Sequence, residues 1–95
     1  MKLKAPAVVP LQLGPKVGRV THFFDRIQVC VIELTHRGLK KGETVTILGK
    51  ANPLIQKITS MQIESVDVAH ARKGQLIGLK VEKLVKVGDE VFRTD

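Results

Sequence analysis

Leu39-Lys40-Lys41-Gly42-Glu43 is the first of three similar turn sequences in this chain. The others are Arg72-Lys73-Gly74-Gln75 and Val85-Lys86-Val87-Gly88-Asp89. Each contains a glycine, which adopts the positive φ of a tight turn without steric cost, and a polar or acidic residue follows it. A β-type apolar run then begins, at 44–48, 76–81 and 91–92. Strands that restart at such turns favour a small antiparallel barrel, and each of these glycines is expected in the turn itself.

The rest of the chain also has the pattern of β-strands. Further strands are predicted at 17–24, 27–34, 55–64 and 90–93, and no stretch longer than about ten residues has apolar residues at helical spacing. The chain is therefore predicted to be all-β, with an N-terminal arm over residues 1–16 and a single barrel domain over 17–95. Both sides of 27–34 are largely apolar, so the sequence does not show which side of this strand is buried. The expected core includes Ile27, Val29, Val31, Val45, Ile47, Ile58, Ile77 and Leu79.

The charge of the chain favours an acidic partner. The formal net charge is +7, from 16 Lys and Arg against 9 Asp and Glu, with the excess in the N-terminal half. Such a balance is typical of proteins that bind RNA, although solvated lysines on an ordinary surface would give the same composition. The aromatic residues are Phe23, Phe24 and Phe92 only. A base-stacking platform is therefore not expected, and RNA would be contacted at phosphate and sugar or in a small pocket.

Residues for catalysis or metal binding form no recognisable pattern. The single Cys30 excludes an internal disulfide, fits a reducing cytoplasm and, among apolar neighbours, is expected to be buried. Gly49-Lys50 lacks the rest of a phosphate-binding loop, and His22, His36 and His70 lack the spacing of metal ligands. We therefore predict a cytoplasmic protein that is not an enzyme, with no catalytic residue, cofactor, metal or bound nucleotide. No apolar run reaches the roughly 20 residues that span a bilayer, so no membrane association is expected.

Four stretches in order resemble a known family: Val17-Gly18-Arg19-Val20-Thr21, Gly38-Leu39-Lys40-Lys41-Gly42-Glu43-Thr44-Val45, Ile58-Thr59-Ser60-Met61-Gln62 and Ala71-Arg72-Lys73-Gly74-Gln75-Leu76-Ile77-Gly78-Leu79. Together they resemble the second domain of translational GTPases, the family of elongation factor Tu and the selenocysteine-specific factor. The chain is also similar to the barrel at the C-terminus of some collagenase-like peptidases.

The resemblance to translation factors implies a closed six-stranded antiparallel Greek-key barrel. It also implies a surface pocket for the terminal adenosine of tRNA, lined by the strand that corresponds to 60–63. Gln62 stands where the tRNA carriers usually have Glu, and the segment 78–83 replaces their Leu-Arg-Gly ending. No GTPase domain accompanies the barrel in this sequence.

The leading functional prediction is a non-catalytic, translation-factor-like barrel that binds RNA, either tRNA or rRNA, or a ribonucleoprotein surface. The alternative is an accessory protein-interaction barrel that docks on a separately encoded enzyme such as a collagenase-like peptidase. Basic residues at strand ends, and residues placed near the pocket by the resemblance, are the RNA-binding candidates: Arg19, Arg37, Lys40, Lys41, Lys50, Lys57 and Gln62.

Overall fold

The structure is a computed structural model that describes residues 13–49 and 53–94. Regular secondary structure in these ranges is entirely β, which confirms the all-β prediction. In chain order the strands are β1 Leu13–Phe24, β2 Val29–Glu33, β3 Leu39–Lys40, β4 Thr44–Leu48, β5 Leu54–Lys57, β6 Met61–Ile63, β7 Val66–Val68, β8 His70–Ala71, β9 Leu76–Lys80 and β10 Glu90–Thr94. β1 begins inside the stretch predicted to be an arm, and the rest of that stretch lies outside the described residues.

Eight of these strands form one antiparallel sheet in the order β5-β4-β10-β1-β2-β9-β6-β7, and β3 pairs with β8 in a separate ribbon. The prediction of a closed six-stranded barrel is wrong. The sheet is strongly curled into a half-barrel, and within the described residues no ladder joins its edge strands β5 and β7. One reason is that the predicted strand 55–64 is interrupted at 58–60, so its two halves lie at different places in the sheet.

The curl of the sheet follows from the connection between β5 and β6. Five strands lie between these two in the sheet order. In a flat sheet six spacings would separate them by roughly 29 Å. The link 58–60 spans at most about 14 Å from Lys57 to Met61, so the sheet has to curl until its edges approach. Register shifts in the pairing of β1 with both β2 and β10 mark the bulges that permit this curvature.

A glutamine side chain spans the gap between edge strand β5 and the end of β9. Gln56 Nε2 donates to the carbonyl oxygen of Lys80 at 2.8 Å, and Gln56 Oε1 accepts from the backbone N–H of Glu82 at 3.1 Å. The residue is 9% exposed, so both hydrogen bonds are largely shielded from water. We call this gap, defined by Gln56, Lys80 and Glu82, the seam. The side-chain amide of Gln56 thus makes the two hydrogen bonds that a paired strand would make with its backbone.

The three turn sequences adopt one conformation. The glycine in the third position has positive φ, at 96° in Gly42, 95° in Gly74 and 96° in Gly88, which confirms the predicted turns. The side-chain oxygen of the fourth residue accepts from the N–H of the first, at 2.8 Å in 40–43, 2.7 Å in 72–75 and 2.9 Å in 86–89. The backbone N–H of the fourth residue donates back to the carbonyl of the first in every copy. The acidic or amide residue after each glycine therefore locks its own turn.

Each turn also holds one buried residue of a neighbouring segment through two backbone hydrogen bonds. Gly42 N donates to Ile58 O at 2.8 Å, and Ile58 N donates to Glu43 O at 2.8 Å. The turn 72–75 holds Leu34 in the same way, and the turn 86–89 holds Val20. All three held residues are fully buried. The residue before each turn and the second residue after it are also buried, as in Leu39 and Val45 for the first copy.

The predicted core is partly right. Val45, Ile47, Ile58, Ile77 and Leu79 are buried as expected. The prediction is wrong for Ile27, which is 60% exposed, and for Val29 and Val31, which are only half-buried on the outer side of the sheet. Ile27 lies in the turn that precedes β2, and the register of β2 turns the alternate residues Cys30 and Ile32 inward against β1. A strand that is apolar on both faces does not reveal which face packs.

Gly18 is required by a close backbone approach, which a substitution can test. A Cβ atom at Gly18 would lie 1.8 Å from the backbone oxygen of Glu33, whereas a Cβ at Gly42 would meet nothing within 4 Å. We expect Gly18→Ala to lower the free energy of unfolding by about 3 kcal/mol or more. Gly42→Ala, strained only by its φ, should cost roughly 1–2 kcal/mol. Urea unfolding measures both, and a smaller loss for Gly18→Ala than for Gly42→Ala would contradict the close approach.

The thiol of Cys30 should be inert in the folded chain. Burial raises the pKa of Cys30 to about 12, so the thiol stays protonated at pH 8 and is also shielded from reagents. A disulfide reagent such as dithionitrobenzoate should therefore react with Cys30 only at the rate of unfolding, and fully in denaturant. Stoichiometric labelling within seconds under native conditions would contradict this placement.

Candidate docking face

The predicted RNA-binding residues are spread over several parts of the surface. Arg37 and Lys40 come together in a depression of about 300 Å³ beside the β3–β8 ribbon, with His70 and Arg93. Lys41 is exposed at the tip of the first turn. Glu43, in the same depression, lies 3.5 Å from Arg93, so part of the positive charge there is compensated.

The remaining candidates lie elsewhere. Arg19 on β1 makes an ion pair of 3.1 Å with Glu33. Lys57 lines a depression of about 260 Å³ at the seam, and Gln62 lies on the outer side of β6, where its Nε2 donates to Asp67 Oδ1 at 3.0 Å. Lys50 lies outside the described residues. The structure thus brings Arg37 and Lys40 together and does not gather the seven candidates into one site.

A different surface gathers apolar residues. The outer side of the sheet formed by β1, β2, β9 and β6 has a depression of about 330 Å³. We call it the outer groove. Phe24, Ile27 and Leu76 in its lining are 49%, 60% and 54% exposed, respectively. The full lining is Phe24, Ile27, Val29, Val31, Gln62, Glu64, Ser65, Leu76, Ile77 and Gly78.

In the outer groove, residues that pair across neighbouring strands form rows, and we call each row a level. The central level runs from His22 through Val31 and Gly78 to Gln62. One neighbouring level pairs Phe24 with Val29 and Val29 with Lys80. The other pairs Arg19 with Glu33 and Glu33 with Leu76. The groove therefore runs along β9, between the side chains of β2 on one side and those of β6 on the other.

Gly78 forms the floor of the outer groove at its central level. A Cβ atom at this position would lie 3.6 Å from Val29 Cγ1 and 4.0 Å from the backbone oxygen of Gln62, which are ordinary contact distances. Positive φ is recorded for Gly42, Gly74 and Gly88 but not for Gly78. The fold would therefore accept a side chain here, and its absence leaves the middle of the groove open.

Charged residues differ between the two ends of the outer groove. Glu64 lies in the turn between β6 and β7, at the end marked by Leu76. Within residues 13–49 and 53–94 it forms no ion pair. Lys80, one level beyond Gly78, is exposed and lines the depression at the seam rather than the outer groove. A largely apolar groove with one carboxylate near its Leu76 end can favour one orientation of a partner segment that carries a basic residue.

Sequence reasoning missed the outer groove, although two signals for it were present. The stretch 27–34 is apolar on both sides, and one side packs in the core while the other lines the groove. Gly78 interrupts an otherwise apolar strand, which is where a ligand or another backbone often approaches closely. Neither signal alone distinguishes a docking face from a doubly buried strand.

Potentially reactive side chains do not converge in the part of the chain that the structure describes. Thr35 Oγ1 and His36 Nδ1 are 2.7 Å apart, and Thr21 Oγ1 and His22 Nδ1 are 3.2 Å apart, both on exposed surface. No three His, Cys, Asp or Glu residues of 13–49 and 53–94 are grouped so that they could hold a metal ion. The same ranges contain no helix able to cross a membrane. The cytoplasmic location stays a prediction.

Comparison with known proteins identifies relatives in protein degradation. No protein-family model matches the chain. An uncharacterized protease of Methanocaldococcus jannaschii is 41% identical over 78 residues, which are 81% of this chain and 19% of the protease. A collagenase of Porphyromonas gingivalis is 31% identical over 80 residues, which are 83% of this chain and 22% of the collagenase. The chain thus spans about a fifth of the length of these curated relatives.

These findings overturn the leading functional prediction. The relatives are a protease and a collagenase, so the description of the chain as an RNA-binding protein like a translation elongation factor is wrong. Of the described basic candidates, Lys40 and Lys41 belong to a turn, Arg19 is in an ion pair, and Arg37 and Lys57 line two separate depressions. They therefore carry no separate evidence for a nucleic-acid site.

Solved structures show that the fold of this chain is similar to that of a peptidase C-terminal domain. Two crystal structures of the C-terminal domain of a "putative U32 peptidase" from Geobacillus thermoleovorans superpose on the chain, one of them a selenomethionine variant. The variant has a TM-score of 0.78 at 16% identity and covers 83% of this chain and 99% of that domain. The second has a TM-score of 0.76 at 15% identity and covers 99% and 100%. The comparisons therefore confirm the resemblance to the C-terminal barrel of collagenase-like peptidases, whereas the resemblance to elongation factor Tu is not shown.

Proposed function

We propose that this chain is a non-catalytic docking barrel that works with the catalytic part of a collagenase-like peptidase. The observation that carries the proposal is the similarity to about a fifth of a protease and of a collagenase, which leaves four-fifths of each relative for other parts. A barrel of this kind acts by binding. It positions the peptidase part, or the substrate of that part, through a preformed surface.

The outer groove supports a protein partner for this barrel. Exposed apolar patches on a small protein commonly mark interaction sites, since each exposed apolar side chain forgoes the free energy of burial. Phe24, Ile27 and Leu76 supply such a patch on one side of the sheet. His22 stacks on Phe24 with the ring planes at 4° and the centroids 6.2 Å apart, which extends the flat apolar surface. A partner that covers this side would remove it from water.

The framework beneath the groove suits docking without rearrangement. The locked turn 72–75 leads directly into β9 and holds Leu34 just after β2, so this part of the frame beneath the groove is preformed. A preformed surface loses little conformational entropy on binding. The basic turns such as 40–43 lie away from the groove and keep that part of the surface hydrated.

Docking can be tested by cysteine labelling in a full-length chimera. The chimera is the Methanocaldococcus relative with this chain in place of its matching 78 residues. Ser65→Cys places a thiol in the lining of the outer groove, and Ser60→Cys places one at the seam. We expect N-ethylmaleimide to label Cys at 65 about tenfold or more slowly in the chimera than in the isolated chain, because the partner covers it.

The label at position 60 is the matched control, since it is also an exposed serine converted to cysteine. Mass spectrometry of the peptide that contains each position gives the rate, and the buried Cys30 stays silent. Equal rates in the chimera and in the isolated chain at both positions would contradict docking. Slower labelling of the Cys at 60 without slower labelling of the Cys at 65 would support docking but place the contact at the seam.

The non-catalytic part of the proposal has its own test. The isolated chain is expected to release no dye from fluorescent gelatin above the buffer rate, because its thiol is buried and its Thr–His contacts are exposed and lack an orienting third group among the described residues. Gelatin hydrolysis that co-purifies with the chain and disappears in His36→Ala would contradict the proposal and assign catalysis to the Thr35–His36 pair.

A further inference from the structure

Gly78 lacks the structural reasons that explain other glycines of the fold. Gly42, Gly74 and Gly88 need positive φ, and a Cβ at Gly18 or Gly38 would strike a backbone oxygen at 1.8 or 2.2 Å. Gly78 has neither constraint. Glycine in the interior of a strand is nevertheless less favourable than alanine. A residue that weakens the strand and is not required by the fold points to a use outside the fold.

The surroundings of Gly78 indicate what that use is. The position lies at the central level of the outer groove, between Val31 on β2 and Gln62 on β6. A side chain of any length at 78 would project into the groove and divide it. We call this open position above Gly78, with Val29, Val31 and Leu76 beside it, the notch. Val29, Val31 and Leu76 make most of its wall apolar, and Gln62 is the polar residue on the β6 side, so an apolar side chain fits it better than a charged one.

The dimensions and charges of the groove restrict the shape of the partner. Along β9, the levels from Lys80 to Leu76 cover about 14 Å, the length of four residues of extended chain. Glu64 at the Leu76 end has no ion pair within the described residues. A basic residue of the partner is therefore favoured near Glu64.

We propose that the notch receives one apolar side chain from an extended segment of the peptidase part, with a Lys or Arg of that segment against Glu64. The inference rests on the proposed docking function and specifies where and how docking occurs. The apolar side chain supplies most of the binding free energy, because it is buried between Val31 and Gln62. The basic residue sets the direction of the segment along β9.

The first test fills the notch with Gly78→Val. In the isolated chain this change should leave the urea midpoint unchanged or raise it, since valine is favoured over glycine in a strand and its Cβ atom meets only ordinary contact distances. In the chimera it should restore labelling of Ser65→Cys to the rate of the isolated chain, a gain of about tenfold or more. Gly78→Ala, which adds a single methyl group, should give a smaller gain.

The second test reverses the charge at one end of the groove. Measured as the ratio of the rate in the chimera to the rate in the isolated chain with the same change, labelling of Ser65→Cys should speed up about threefold or more in Glu64→Lys, and this gain should shrink as salt is added. The ratio removes the direct effect of the new ammonium on the neighbouring thiol. Glu82→Lys is the matched control, because Glu82 is an exposed acidic residue at the seam rather than in the outer groove. It should leave the labelling rate at 65 unchanged.

The outcomes separate this inference from the proposed function. Protection of position 65 that persists in Gly78→Val overturns the notch while docking stands. A Gly78→Val chain that loses stability on its own assigns Gly78 a structural role and also overturns the notch. Equal effects of Glu64→Lys and Glu82→Lys overturn the placement of the basic residue. If position 65 is labelled as fast in the chimera with Gly78 and Glu64 unchanged as in the isolated chain, docking itself is contradicted.

Discussion

The fold depends on a pair of backbone hydrogen bonds that occurs three times, between a glycine turn and one buried residue of a neighbouring segment. Ile58, Leu34 and Val20 are held in this way, and each is fully buried. The hydrogen bonds satisfy backbone groups of Ile58 and Leu34 just after β5 and β2, and of Val20 just beyond the point where its pairing with β10 ends. They also fix these three core side chains in place. The sheet can therefore remain open at the seam without exposing its interior.

This arrangement leaves the outer side of β1, β2, β9 and β6 without a cover. The inner side of these strands fills the core with residues such as Cys30 and Ile77, while Val31 and Leu76 face outward. No second layer within the described residues packs on that outer side. The same apolar strand thus serves the core with one face and a docking surface with the other. The chain matches about a fifth of the length of a protease and of a collagenase, and the proposed partner of this surface is the remaining part of such a protein.

The basic residues that the structure describes are mostly dispersed over the surface, although Arg37 and Lys40 share one depression. Lys40, Arg72 and Lys86 occupy the first position of the three turns, where the backbone N–H binds the side-chain oxygen of the fourth residue. Their charged groups extend into water. Arg19 and Lys16 are in ion pairs with Glu33 and Glu90 on neighbouring strands. Charge that is spread over turns and pairs produces the same net value as a concentrated patch.

The sequence by itself determined the local features of this protein: the β class and the three turns with positive φ at Gly42, Gly74 and Gly88. Each of these follows from the chemistry of a few adjacent residues. Tertiary structure alone decided which face of β2 is buried, that 55–64 breaks at Ile58, and that the sheet stays open. Those outcomes depend on register between strands far apart in the chain. The outer groove belongs to the second group, because Val31, Gly78 and Gln62 come together only through two separate strand pairings.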